Sequence, residues 1–282
     1  MSYTNSFKKQ QYEVTASIVT YNNNREILLQ AIQSFLNTEL NVHLFIVDNS
    51  PVNSLENLIK DDRVTYIFNN ANIGFGAAHN IAIVRALPLT QYHLVLNPDV
   101  YFGPDVLGKL VNMMDANPSV GLAMPKVLYP DNTVQHLCKL LPTPKELFLR
   151  RFMKWDKKAL EKSNHIYELR FTNYDKQMTV PYLSGCFMFL RTSALQDVGL
   201  FDERIFMYSE DLDLSRRIHQ KYDTVFYPEA KVYHHFAKGS HKSLRLLWYA
   251  IHGNIIYFNK WGWFFDSERD KINQAVLSKL SS

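Results

Sequence analysis

The chain has 282 residues, a formal net charge of +4, 46% hydrophobic residues and 13% aromatic ones. This size and composition fit one large α/β domain with an extension and exclude a disordered chain, while so small a charge does not demand a nucleic-acid partner. The two cysteines, Cys138 and Cys186, sit at no metal-ligand or redox spacing, which excludes a disulfide framework and a zinc site.

In chain order, apolar runs read as strands at Val14–Thr20, Leu44–Val47, Val64–Phe68 and His93–Leu96. Helix-compatible stretches separate them at Arg25–Asn37, Leu55–Lys60, Ala77–Arg85 and Pro104–Ala116, the last opened by a proline where a first-turn proline fits. The alternation predicts a mostly parallel sheet. Each strand runs into polar residues: Tyr21-Asn22, Asp48-Asn49, Asn69-Asn70 and Asn97-Pro98-Asp99. One such cluster is an ordinary turn; four in succession, aligned along the carboxyl ends of parallel strands, point to a ligand crevice. The turn after the first strand, Tyr21 to Asn24, has no glycine, the Gly74-Phe75-Gly76 pair follows the third strand, and no Walker lysine loop exists. Dinucleotide and P-loop chemistry are therefore disfavoured, and phosphate must be handled by other means, such as a metal. The polar N-terminus, Met1 to Glu13, and the lack of an apolar run near ~20 residues lead to an expectation of cytoplasmic residence.

Two constellations carry chemistry. Asp99 follows a buried strand, where its carboxylate could serve a hard divalent cation; an Asn-Pro-Asp turn explains it equally well. In Tyr208 to Ile218, Ser209 reads as a helix cap with Glu210, Asp211 and Asp213 in the first turn. Asp211 shares a helical face with Leu214 and Ile218 and so points inward, whereas Asp213 faces Arg216 and Arg217 as a surface pair. First-turn capping accounts for Glu210 without any function.

Taken as an ordered series, these residues resemble the inverting family-2 glycosyltransferases with the GT-A fold, over about Val14 to His235. The resemblance implies a three-layer α/β/α domain with a mostly parallel central sheet over residues 1–235 and a C-terminal helical extension over 236–282. It implies donor binding by Thr20, Tyr21 and Asn22 at the end of the first strand and by Asp48 and Asn49 toward the base and ribose. Asn72, Gly74 and Asn80 complete the donor cleft. Asn97 and Asp99 stand where the family has its Asp-x-Asp motif for metal and diphosphate, which implies Mg²⁺ or Mn²⁺ held through Asp99. The first acid is replaced by an amide, a form that resembles rhamnosyltransferases using dTDP-L-rhamnose. The Glu210-Asp211 pair matches the family's Glu-Asp motif, whose Asp is the catalytic base. Gly185 and Cys186 resemble the acceptor-side segment, although a glycine before a strand is also an ordinary turn. From the pair His234-His235, one histidine resembles a family residue near the diphosphate, with His234 the candidate metal partner of Asp99; the residues themselves do not separate the two.

Two basic, aromatic segments remain. Lys145–Lys162 interleaves Arg150, Arg151, Lys154, Lys157 and Lys158 with Leu147, Phe148, Phe152, Met153 and Trp155, and the tail from Lys238 holds Lys242 and Arg245 with Trp248, Tyr249, Trp261 and Trp263. Such stretches suit an anionic membrane surface, as do amphipathic helices packed on the domain with solvated lysines. The expectation is a nucleotide-sugar donor, dTDP-sugar first, a lipid-linked or polymeric glycan acceptor, and a peripheral place on the cytoplasmic membrane; a homodimer is compatible with the sequence. The rivals are a sugar-phosphate nucleotidyltransferase, whose Gly-rich N-terminal loop is missing here, and a catalytically silent carbohydrate-binding protein of the same fold.

Overall fold

The computed structural model describes residues 11–56, 60–147, 157–235 and 244–281. Strands β1 (Tyr12–Thr20), β2 (Val42–Asp48), β3 (Val64–Phe68) and β4 (Thr90–Leu96) are joined by helices α1 (Arg25–Leu36) and α2 (Phe75–Ala86). After them come β5 (Val100–Phe102), helix α3 (Asp105–Ala116), β6 (Val120–Leu128), β7 (Cys138–Lys139), β8 (Met178–Thr179), β9 (Tyr182–Leu183), β10 (Phe187–Arg191) and β11 (Asp223–His234). Nine of these strands form one sheet in the order β3-β2-β1-β4-β10-β6-β11-β5, with β8 added on β11. β1 to β4, β6 and β11 run one way; β5, β8 and β10 oppose them.

The register sets up the site. Thr20 lies beside Asp48 and Asp48 beside Phe68, so the first three strands end level. Because β10 is antiparallel to β4, its first residue, Phe187, pairs with the last, Leu96, and the Gly185-Cys186 step reaches the same edge as Asn97. β11 ends there too: His234 pairs with Val100, next to Asp99.

Helices cover both faces. Asn24 caps α1, its side chain accepting from the amides of Glu26 and Ile27, and Leu28, Ala31, Ile32 and Phe35 form a buried stripe at helical spacing that packs in one cluster with Leu44 and Ile46 of β2. The alternate residues Phe45 and Val47 pack on the other face against Ala78, Ala82 and Ala86 of α2, where small side chains at four-residue spacing allow close approach. The main core extends through α3, β6 and β10 to Val276.

Several local expectations change. Leu55 and Glu56 lie in a bend and turn instead of the predicted Leu55–Lys60 helix, whose residues 57–59 lie outside the described residues. Pro104 sits one position before α3, at its N-cap. Val120–Leu128 adds an interior strand beyond those predicted, with Pro125 tolerated beside a register irregularity in β11. The tail forms helices Leu244–Trp261 and Ser267–Ser281 that pack back on the sheet domain: Tyr257 and Phe258 bury against Leu141 and Leu212. Arg216 makes a buried two-pronged pair with Asp266 at 2.7 and 2.8 Å, under the ring of Trp261.

Candidate active site

At the mouth of the edge formed by β1 to β3, Asp48 is fully buried and accepts from the Ser50 amide at 2.8 Å and the Tyr66 hydroxyl at 2.7 Å. The Ser50 hydroxyl in turn accepts from the amide of Asn22, a residue with φ of 51°, which ties the β1 turn to the β2 turn. Thr20 donates to Asn23, and Tyr21 stands 44% exposed at the rim. Asn49 donates to the Gly74 carbonyl at 3.1 Å and accepts from Asn69, while the Asn72 side chain accepts from the Gly74 amide. Gly74 is required here: its φ is +95°, and a Cβ would stand 2.4 Å from the Phe206 carbonyl oxygen. Asn80 sits apart from this rim. Its amide donates to the Phe201 carbonyl and Glu203 and accepts from the Phe201 amide, so it anchors the 201–206 loop from within α2.

Deeper along the edge, Asp99 Oδ1 lies 3.3 Å from His234 Nε2. The structure separates the two histidines by their rings: that of His234 is buried at the Asp99 carboxylate, while that of His235 turns to Gln30 and only its backbone amide reaches the Asp99 carbonyl. Burial opposes the charged form of His234, but the Asp99 carboxylate and the Cys186 sulfur outweigh it and raise the imidazole to about 10. The Asn97 amide donates to the Cys186 carbonyl, which joins β4 to the start of β10. No group of three or more His, Cys, Asp or Glu among the described residues could by itself enclose a metal.

On the opposite side of this point stands the Glu210–His219 helix. It is entered through Tyr208 and Ser209, both left-handed at φ of 68° and 73°, a conformation that costs non-glycine residues roughly 1–3 kcal/mol each. Ser209 occupies the N-cap position but makes no capping bond; its hydroxyl donates to Asn254 Oδ1 at 2.7 Å. The strained pair is held by packing: Gly253 lies so close beneath that a Cβ there would be 2.3 Å from the Tyr208 carbonyl oxygen.

Asp211 accepts from the Gly185 amide at 2.9 Å and the Leu212 amide at 2.8 Å, with the Tyr182 hydroxyl at 3.3 Å. Those donors and the helix N-terminus stabilise negative charge on it. Gly185 permits the contact, since even a Cβ would come within 3.1 Å of the Asp211 Cβ. Glu210 is buried, with no partner for its Oε2, and burial together with the charge of Asp211 pushes it well above the usual carboxylate range. Burial and Asp211 thus both favour its protonated form. Both acids line a cleft of about 190 Å³ with Lys139, Tyr167, Tyr182, Tyr208 and Asn254. Burial and neighbouring Asp211 raise the Tyr182 phenol, so it stays a hydrogen-bond donor. Tyr182 and Asn254 are site residues that the sequence reading missed: each lies far in sequence from the motif it touches and belongs to no motif of its own.

Asp213 corrects the predicted surface pair. It is completely buried, bonded to Arg217 Nε at 2.8 Å, Lys260 Nζ at 2.8 Å and Trp261 Nε1 at 2.8 Å, while Arg216 turns to Asp266. It fastens the C-terminal helices to the motif helix.

A three-layer α/β/α sandwich with polar strand ends facing an acid-bearing helix defines a GT-A glycosyltransferase. Residues 15–199 match the family described as Glycosyl transferase family 2, and the chain belongs to that family. It is 28% identical over 220 residues to the N-acetylglucosaminyl-diphospho-decaprenol L-rhamnosyltransferase of Mycobacterium tuberculosis, in strains CDC 1551 / Oshkosh and ATCC 25618 / H37Rv, covering 72% of this chain and 69% of the relative. Among solved structures it is similar to GalNAc-T7 with UDP, GalNAc and Mn²⁺, at a TM-score of 0.59 and 16% identity over 79% of this chain. It is likewise similar to S. aureus TarS, at 0.59 and 14% over 94%. The chain spans 43% of each of those two proteins. The protein is a glycosyltransferase with rhamnosyltransferase-like sequence.

Proposed function

We propose that the protein transfers L-rhamnose from dTDP-L-rhamnose, with inversion, to a hydroxyl of a lipid-linked or polymeric surface glycan. One observation carries the reading: Asp211 stands at the helix N-terminus between a cleft of about 190 Å³ and the donor edge, fixed by the Gly185 amide and the Tyr182 hydroxyl. In a single displacement the acceptor oxygen attacks the anomeric carbon, its proton passes to Asp211, and the bond to the diphosphate breaks on the opposite face. Glu210, whose protonated form burial and Asp211 favour, would orient the acceptor or shape the cleft.

The donor reading is supported by the Asn97-Pro98-Asp99 form of the motif and by the relative named as an L-rhamnosyltransferase. That relative's acceptor, as named, is a sugar on a diphospho-lipid, which supports a lipid-linked acceptor here. Asp48 and Asn49, with Tyr21 and Asn22, would take the base and ribose. Asp99 would supply a carboxylate oxygen to a divalent cation completed by diphosphate and water. His234, which pairs with Asp99 at 3.3 Å as the protonated ring, would join it as a ligand only on losing that proton. Mg²⁺ or Mn²⁺ would supply charge neutralisation to the leaving group. Residues 1–235 form the catalytic part in this reading and 236–282 its acceptor-side extension. Of the basic segment at 145–162, residues 148–156 lie outside the described residues, as do Lys238 and Lys242. Among the described residues no helix is long and apolar enough to cross a membrane.

A panel of nucleotide sugars, with and without chelator, tests the reading. dTDP should stabilise the fold more than ADP or GDP at equal concentration, and dTDP-rhamnose should turn over in Mg²⁺ and stop in excess chelator. Turnover of UDP-hexoses alone would overturn the sugar, and full activity in chelator would place the neutralising charge on His234 in place of a metal.

A further inference from the structure

The Leu244–Trp261 helix has two unlike faces. Inward, Gly253 lies against the Tyr208 carbonyl, Asn254 receives the Ser209 hydroxyl and lines the acid-bearing cleft, and Tyr257 packs beside Arg216. Outward, Leu244, Trp248, Ile251 and Ile255 are 86%, 60%, 38% and 38% exposed. At about 100° per residue these four side chains fall within roughly 60° of one another, forming a single apolar stripe. Phe264 and Phe265, directly after the helix, are 82% and 96% exposed. Scattered surface apolar residues are ordinary, but six in one stretch, four of them aligned, mark an interaction surface.

Charge selects the partner. Lys260 turns inward to Asp213, but Arg245 is exposed beside the stripe and the helix has not one acidic residue, which suits an anionic surface. The helix is too polar to span a bilayer, which matches a segment that lies in the interface plane with its apolar side down. We propose that this outward face seats on an anionic lipid bilayer, so that the cleft on the inward face opens where the head of a lipid-borne acceptor leaves the membrane. The placement deepens the proposed acceptor and rests on that reading for its purpose. The docking itself rests on the stripe.

Vesicle flotation of the full chain decides it. The wild type should float with phosphatidylglycerol-containing vesicles, less at high salt. Trp248→Ser/Ile251→Ser/Ile255→Ser should cut that partition about tenfold or more with the fold retained by circular dichroism, the thermal midpoint falling modestly because Ile251 and Ile255 are only 38% exposed. Turnover of a water-soluble, short-chain glycan acceptor should be the same for both proteins, while turnover of a polyprenyl-linked acceptor in vesicles should fall with the partition. A wild type that stays with the unbound protein, or a triple variant that floats as well as wild type, overturns the proposal. So does a variant that changes from dimer to monomer with flotation unaltered, since the stripe would then join two copies. Absence of transfer to either acceptor by the wild type would instead overturn the proposed acceptor class and leave the flotation result standing.

Discussion

At the scale of single residues, the acid pair divides its labour. Asp211 has amide donors and a path to the cleft, whereas Glu210 is buried with an unpartnered Oε2, and burial with the neighbouring Asp211 favours its protonated form. Asp211→Asn should therefore lower kcat by about 10²–10⁴-fold with dTDP binding retained. Glu210→Gln, close in shape and charge to that protonated form, should fold normally and lose far less. Tyr182→Phe, which removes one hydroxyl beside the base, should lower kcat by about tenfold with the same dTDP affinity. Steady-state kinetics alongside dTDP titration would check all three; loss of dTDP binding in Asp211→Asn would mean the acids hold the fold and not the reaction. Helical spacing put Asp211 on the buried face, but it is the one acid of the three left partly exposed, at the cleft, because packing buries Glu210 and Asp213 on the other sides of the helix. The same rule misplaced Asp213: the groups that bury it, Lys260 and Trp261, arrive from 47 and 48 residues away. Asn80 differs in kind, since only the fold reveals that its amide is already committed to the 201–206 loop.

At the scale of elements, the contact between the Leu244–Trp261 helix and the entry to the Glu210–His219 helix holds the catalytic geometry. A helical glycine replaced by alanine ordinarily gains up to about 1 kcal/mol. Gly253→Ala should do the opposite, losing about 1–3 kcal/mol, because its Cβ would meet the Tyr208 carbonyl oxygen at 2.3 Å and push the left-handed Tyr208-Ser209 pair. Gly108→Ala in α3, with nothing within 4 Å of the new Cβ, is the matched control and should be stabilising. Urea unfolding of both variants, with kcat for Gly253→Ala, measures this; equal effects at the two positions would show that the contact carries no strain. The four leading strands and helices α1 and α2 were legible from periodicity, whereas the helix expected at Leu55–Lys60 gave way to a bend and turn at Leu55 and Glu56. β6 was not, because Pro125 interrupts the pattern of an interior strand, and the reversed direction of β10 has no local signature, since direction depends on which neighbour a strand meets.

At the scale of the whole molecule, a polar chain runs through the middle of the sheet. Thr15 and Ser17 of β1 hold the two ring nitrogens of His93 at 2.8 Å each, and Ser17 also contacts His79 Nδ1 at 2.7 Å. Burial lowers His93 to about 3, and burial with the neighbouring His93 puts His79 well below its usual value. Both folded values lie under that of the unfolded chain, so the native state binds fewer protons. The His93 share of stability is complete above about pH 6.5 and falls as pH drops from there toward 3, by about 1.4 kcal/mol per pH unit, and His79 acts in the same direction. Chemical unfolding at pH 7.0, 6.0 and 5.0 should show that slope, and His93→Asn should remove close to one proton's share of it; an unchanged slope would mean these rings are not the acid-labile element.

The reversed strand β10 has a consequence for how such an enzyme can be altered. The chain leaves the sheet after β6, contributes Lys139, Tyr167 and Tyr182 to the cleft wall, and re-enters at Gly185-Cys186, on the edge where the donor residues already stand. The described parts of this segment return to the sheet once, where β8 pairs with β11, and Thr20, Asp48, Asn72 and Asp99 all precede it in sequence. If the cleft receives the acceptor as proposed, this segment supplies one of its walls. Grafting the corresponding segment of another family member between β6 and β10 should then shift acceptor preference while leaving donor preference unchanged, as competition between two acceptors for one donor would measure.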